Sequence, residues 1–395
     1  MQRLWTRDFI LVTLSTFFVF MNLQMITPAL SSYIHSSIGG NSLIGLSIAA
    51  WAVTAVLTRF AAGKALLAVD KRILIWLGIL VYGVATAGYY LATSVGSLLI
   101  VRILYGIGFG LTTTTYGTLA ADLIPATRLG EGMGYFGLST SLAMAIAPVI
   151  GIGMYNTMGF HPLVYTSFGL VLLTIAILPL IRTLKMKQSV KRQHKPQSWI
   201  HDFYDPSIIL PCILLLLMSI TYGGLVSFIT LFGKEVHIAN VGWYFLVNAG
   251  AVVLVRPVSG KLYDKKGHRV VLPIGAVCLT AGLLLLSYAA NMGIFLFSAI
   301  CYGMGYGILQ PALQAWMFER LSPERRGIGS GAFYSSVDFG IAVGSMLLGT
   351  VATAIGYAAM YRVSAICMAM FMALYLVFGL REKNKEEYLK SFTIN

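Results

Sequence analysis

Charge is what this sequence has least of. Charged side chains make up 11% of its 395 residues, against about 25% in soluble domains, so a water-facing surround is excluded. Its four cysteines, Cys212, Cys278, Cys301 and Cys367, show no CxxC spacing and read as small apolar packing residues. The six histidines form no HExxH or other ligand-spaced cluster, and no GxxxxGK[ST] loop occurs, which excludes a metal site of that kind and an ATP-driven pump. No nucleophile–base pair stands out in the apolar runs and no stretch is left for a soluble domain, so neither an enzyme nor a receptor is expected. The first apolar segment has no small-residue cleavage site and reads as a retained helix.

What is present is hydrocarbon. Hydrophobic residues are 57% of the chain, in twelve stretches near 8–30, 42–62, 73–93, 97–120, 132–154, 163–183, 207–231, 242–260, 270–290, 294–317, 329–352 and 360–380. Each approaches the ~20 residues that a helix needs to cross a bilayer. The fold class predicted is an all-α membrane protein of twelve transmembrane helices. The net charge of +14 suggests nucleic acid in a soluble protein, but its placement speaks of topology. Arg3, Arg7, Lys64, Lys71, Arg72, Arg128, the 182–195 cluster, Lys261, Lys265, Lys266, Arg269, Arg320, Arg325, Arg326 and the tail fall on one side, leaving little but Lys234 and Arg362 on the other. The positive-inside rule then sets both termini in the cytoplasm.

The chain is also a duplication. Shifted by 197 positions, Arg59 falls on Arg256, Gly63 on Gly260, Lys64 on Lys261, Arg72 on Arg269, YGIGFG (105–110) on YGMGYG (302–307), Asp122 on Glu319, and Gly130, Gly132 and Gly134 on Gly327, Gly329 and Gly331. The predicted domains are a six-helix bundle at 1–183, a basic linker at 184–206, a second bundle at 207–381 and a tail at 382–395. Six crossings are even, so the repeats are parallel and related by an axis along the membrane normal. Two such bundles can rock about a central cavity, which is alternating access.

With these features the chain resembles the major facilitator superfamily, in its twelve-helix drug:proton antiporter type, over essentially its whole length. GKLYDKKGHR (260–269) matches the loop signature G-x-L-x-D-[RK]-x-G-[RK]-[RK], with His268 at one basic position. The copy at 63–72 keeps Gly63, Lys64 and Arg72 but has Leu67 where the acid belongs, with Asp70 three residues on. RILYGIGFG (102–110) is similar to the fourth-helix signature. GLSTSLAMAIAPVIGIG (137–153) is similar to the fifth-helix antiporter signature, keeping Gly137, Pro148 and Gly151 while Ala147 and Ile152 replace glycines. The resemblance implies a secondary transporter exporting a small drug or metabolite by proton antiport, with proton-coupled import of a sugar or organic acid as the alternative. It implies a plasma-membrane protein, sufficient as a monomer, with protons, cargo and lipid as its partners and no cofactor, metal or nucleic acid.

Individual residues sharpen this. Asp338 is the one acid far from a membrane face; ionised at a helix centre it costs about 2.5–3.5 kcal/mol, so it couples protons or touches cargo, or else anchors packing. Arg102, near the outer end of span four, either snorkels to the outer interface or, as the resemblance implies for a fourth-helix arginine, joins Asp338 in proton coupling or anchors an anionic substrate. Arg59 and Arg256, one turn before the loop glycines, are expected to snorkel inward. Asn22, Gln24, Thr113, Tyr222, Asn248, Gln310 and Gln314 are polar positions in apolar spans, predicted to line a cavity or to bond neighbouring helices. The resemblance implies that Gly63, Arg72, Asp122, Gly260, Asp264, Arg269 and Glu319 form a cytoplasmic gate, in which Asp122 and Glu319 meet the basic residues Arg128 and Arg325 that follow them. The alternative is a solvated loop that only sets orientation.

Overall fold

The structure is a computed structural model that describes residues 3–34, 41–184, 205–238 and 240–379. Hydrocarbon offers a backbone no hydrogen-bond partner, so each span must satisfy its own amides. Among the described residues the spans are accordingly helical, and twelve are long and apolar enough to cross a membrane. They are α1 (Arg7–Tyr33), α2 (Asn41–Ala68), α3 (Lys71–Gly88), α4 (Val95–Leu123), α5 (Leu129–Met158), α6 (Phe160–Ile177), α7 (Ile209–Glu235), α8 (Gly242–Lys266), α9 (His268–Ser287), α10 (Met292–Glu319), α11 (Arg326–Ile355) and α12 (Tyr357–Leu374). Large apolar side chains such as Leu57, Val84, Val149, Leu254 and Met346 lie exposed, which suits a lipid surround. The expected tail at 382–395 and nearly all of the linker at 184–206 fall outside the described residues.

The helices overrun their apolar windows, most consequentially at α8. The signature at 260–269, read as a loop, is helical up to Lys266; Gly267 alone separates α8 from α9, with φ +68°. A side chain at that φ is strained, which is why glycine stands there. In the first half Asp70 fills the same break by accepting from the Arg72 amide at 2.8 Å. It caps α3 and does not replace the acid missing at Leu67.

Packing repeats with the sequence. In the first half α4 packs on α2 and α3, and α1 on α5 and α6; in the second, α10 packs on α8 and α9, and α7 on α11 and α12. The glycine-rich runs explain the closeness. Gly108 lies against the Tyr82 backbone of α3, and its mate Gly305 against the Leu279 backbone of α9. The two halves meet mainly through α2 with α11 and its mate α5 with α8, supplemented by α4–α11 and α5–α10.

Candidate functional site

Between the halves lies a cavity of about 260 Å³, lined in part by Phe20, Gln24, Trp51, Tyr306, Gln310 and Gln314. Its floor holds two arginines. Arg59 is 1% exposed and forms an ion pair with Asp338 of α11. It also donates to the Tyr334 carbonyl at 3.0 Å, and its guanidinium lies 5.5 Å and 5.4 Å from the Phe109 and Tyr334 ring centres. The pair therefore bridges the halves. Asp338 stands twelve residues into α11 (326 to 338), about 18 Å along it at 1.5 Å per residue.

Arg256, the mate of Arg59, occupies the matching place with different partners. It is fully buried, and its Nη2 donates to Gln310 Oε1 at 2.6 Å. Gly137 stands where the other half has Tyr334, and a Cβ on it would lie 2.5 Å from an Arg256 nitrogen. Ser141 stands where the other half has Asp338. One arginine thus has a counter-ion, and the other has an amide.

Both arginines were expected to snorkel, and both instead face the cavity. The reason is helix length. α2 runs nine residues past Arg59 and α8 ten past Arg256, about 14 and 15 Å at 1.5 Å per residue, too deep for a head group to reach water. The shared offset of 197, together with a single mid-span acid, was the available signal.

On the face where α1 begins and α12 ends, called here the terminal face, the cavity is closed by two seams. At the α5–α8 seam, Asp264 accepts from the Gly130 and Glu131 amides at 2.6 and 2.9 Å. A carboxylate at the positive start of α5 is favoured by the helix dipole. Gly260 brings α8 against the same backbone. At the α2–α11 seam Gly63 meets Gly327, and Leu67 leaves the capping position without an acid. Asp122 compensates by pairing with both Lys71 and Arg326, the latter at 3.2 Å and from the start of α11. The expected partners differ in detail: Arg128 pairs with Glu131 at 2.6 Å, Arg325 with Asp205 at 3.1 Å, and Glu319 accepts from the Tyr263 hydroxyl at 2.9 Å. Arg72 and Arg269 are exposed at the starts of α3 and α9.

Other sequence-predicted positions separate. Gln24, Gln310 and Gln314 line the cavity, while Tyr222 and Asn248 line a smaller adjoining pocket with Tyr306 and Met144. Asn22 does not: it accepts from the Tyr105 hydroxyl at 2.6 Å and donates to the Ser167 carbonyl at 2.8 Å, locking α1 to α4 and α6. Thr113 is buried and bonds its own helix at the Phe109 carbonyl. Arg102 is not beside Asp338. It donates to Ser47 Oγ at 2.9 Å under the Tyr89 ring, inside the first half. Of the antiporter-type positions, Gly137 makes room for Arg256, Gly151 packs on the Met25 backbone of α1, and Pro148 lies within α5.

Comparison with known proteins agrees with this architecture. Residues 12–345 and again 236–393 match the family model described as Major Facilitator Superfamily. The chain is 26% identical to an uncharacterized MFS-type transporter of Methanocaldococcus jannaschii, covering 91% of this chain and 95% of that one. It is 22% identical to the staphylopine export protein of Staphylococcus aureus, covering 84% and 86%. Among solved structures, the human organic anion transporter MFSD10 aligns with a TM-score of 0.76 at 14% identity, covering 93% of this chain and 98% of that one.

Proposed function

The chain belongs to the Major Facilitator Superfamily, and we propose that this multi-pass membrane transporter exports a small organic molecule, a drug or a metabolite, by proton antiport through alternating access. The observation that carries this reading is the Arg59–Asp338 ion pair, buried at the cavity floor and shared between the halves. Asp338 is 20% exposed, so it touches the cavity while holding Arg59. Ionised, it fastens α11 to α2. Protonated, it leaves Arg59 without a counter-charge, a loss on the order of 3–5 kcal/mol for a buried pair. A proton arriving from the face opposite the terminal one therefore loosens the α2–α11 seam, and the halves part at the terminal face. There the proton leaves and cargo enters.

Further features support the direction and placement in this reading. The basic residues gather on the terminal face, which is the cytoplasmic one by the positive-inside rule, so the proposal sets both ends of the chain in the cytoplasm and the protein in the plasma membrane. Asp264, Asp122, Gly63 and Gly260 form its gate. Similarity to the staphylopine export protein, and Gly137, Pro148 and Gly151 in α5, support outward movement. One chain holds the complete cavity, so a monomer suffices.

The test is flux in proteoliposomes under an imposed pH difference, screened over dyes, sugars and metal-chelating metabolites. Uphill movement opposite to the protons is expected, and Asp338→Asn abolishes it. Movement in the same direction as the protons would turn the reading to import, and cargo flux indifferent to the gradient would end the coupling role of the pair.

A further inference from the structure

Arg256 is the least satisfied charge in the cavity. It is fully buried, its Nε and Nη1 have no hydrogen-bond partner, and the Gln314 amide nitrogen nearby in the lining is likewise unpartnered and buried. Its one side-chain partner is the neutral Gln310 oxygen. Among the described residues no carboxylate lies within ion-pair distance of it; Asp338 is engaged by Arg59, and the position equivalent to Asp338 is Ser141. A buried guanidinium with two idle donor nitrogens is costly unless a counter-charge visits it. Nε–H and Nη1–H point away from each other, so one carboxylate engages one of them, bringing both a hydrogen bond and a counter-charge.

We propose that Arg256 is a cargo anchor, and that the molecule transported carries a carboxylate which docks on one of its free nitrogens, Nε or Nη1, with the Gln314 amide as a further donor. Gly137 is part of the anchor because any side chain there would fill the space the guanidinium occupies. The rest of the lining is mostly apolar and includes the rings of Phe20, Trp51 and Tyr306, so the body of the cargo is apolar or flat. A charge count fits export. With a carboxylate on Arg256 and Asp338 ionised, two buried guanidiniums face two carboxylates, so the cargo-loaded and proton-free cavity is the balanced one.

This rests on the cavity being the transport cavity proposed above, and binding tests it apart from flux. Purified full-length protein in nanodiscs is titrated with phenylacetate, its uncharged isostere phenylacetamide and phenethylammonium, reading Trp51 fluorescence against a Trp51→Phe control. Phenylacetate is expected to bind at least ten-fold more tightly than the other two. Arg256→Gln removes that preference and Arg256→Lys restores part of it. Gln310→Glu places a resident carboxylate on Arg256; this variant folds with raised thermal stability and loses the phenylacetate response at least ten-fold. Equal affinity for acid and amide, or a Gln310→Glu variant that binds phenylacetate as the parent does, overturns the anchor. Proton-driven flux of a neutral dye alongside either result would leave the transport reading standing, whereas preserved acid binding without any flux would remove that reading alone.

Discussion

Alanine at Gly260 perturbs one seam in one conformation. A Cβ there would sit 2.7 Å from Glu131 Cα, 2.8 Å from the Gly130 carbonyl oxygen and 3.1 Å from the Glu131 nitrogen. All three are backbone atoms of the opposite half, so no rotamer change relieves the clash and α5 must move away from α8. Overpacking of this kind costs about 1–3 kcal/mol. The helix-propensity gain of alanine over glycine, about 0.5–1 kcal/mol, applies whether the seam is shut or open and cancels in the comparison. The closed terminal face should therefore lose population by about 5- to 150-fold. Gly250 is the matched control, also in α8, where a Cβ meets nothing within 4 Å. The assay is double electron–electron resonance between spin labels at Ala126 and Lys265, both exposed and on opposite halves, in a background with the four cysteines replaced. Gly260→Ala should shift the distances upward while Gly250→Ala leaves them in place. Superimposable distributions for Gly260→Ala and the parent, without cargo at one pH, would refute the seam as a gate.

The remaining expectations concern charges and anchors. Asp338→Asn should abolish transport against a gradient yet retain cargo exchange, and counterflow in proteoliposomes separates the two. Asp264→Asn removes the charge at the start of α5, a change of about 0.5–2 kcal/mol, and should slow turnover while the order of cargo preference measured by competition stays fixed. Asn22→Leu breaks its three buried bonds with Tyr105, Ser167 and Thr86 inside the first half, costing about 1–3 kcal/mol for each orphaned partner, and should lower the unfolding temperature without altering cargo affinity measured on the surviving folded protein.

How much of this was legible in the sequence depended on scale. Spans of about 20 apolar residues and a constant offset through charged and glycine positions announce twelve helices in two related halves, because hydrocarbon permits few alternatives. The mid-span acid Asp338 and the seam acid Asp264 were also visible, since each breaks a local rule. What sequence could not supply was depth and direction. Apolar windows end before helices do, so Arg59 and Arg256 read as surface anchors when nine and ten residues of helix still lay beyond them. Polar residues in apolar spans look alike whichever way they face: Gln310 enters the cavity, whereas Asn22 turns inward to Tyr105 and Ser167. Arg102 and Asp338 both seemed exceptional, and only coordinates show that Ser47 takes one and Arg59 the other.

The substitution of leucine for an acid at position 67 has a mechanical consequence. Asp264 grips the start of α5 by bonds that no event inside the cavity touches, whereas α11 is held at mid-membrane by the Arg59–Asp338 pair and at the terminal face by Arg326 on Asp122. On the proposed coupling, loss of the Arg59–Asp338 pair weakens one edge and leaves its opposite clasped, so the first displacement would be an asymmetric swing about α5 and α8, like a book opening from a spine.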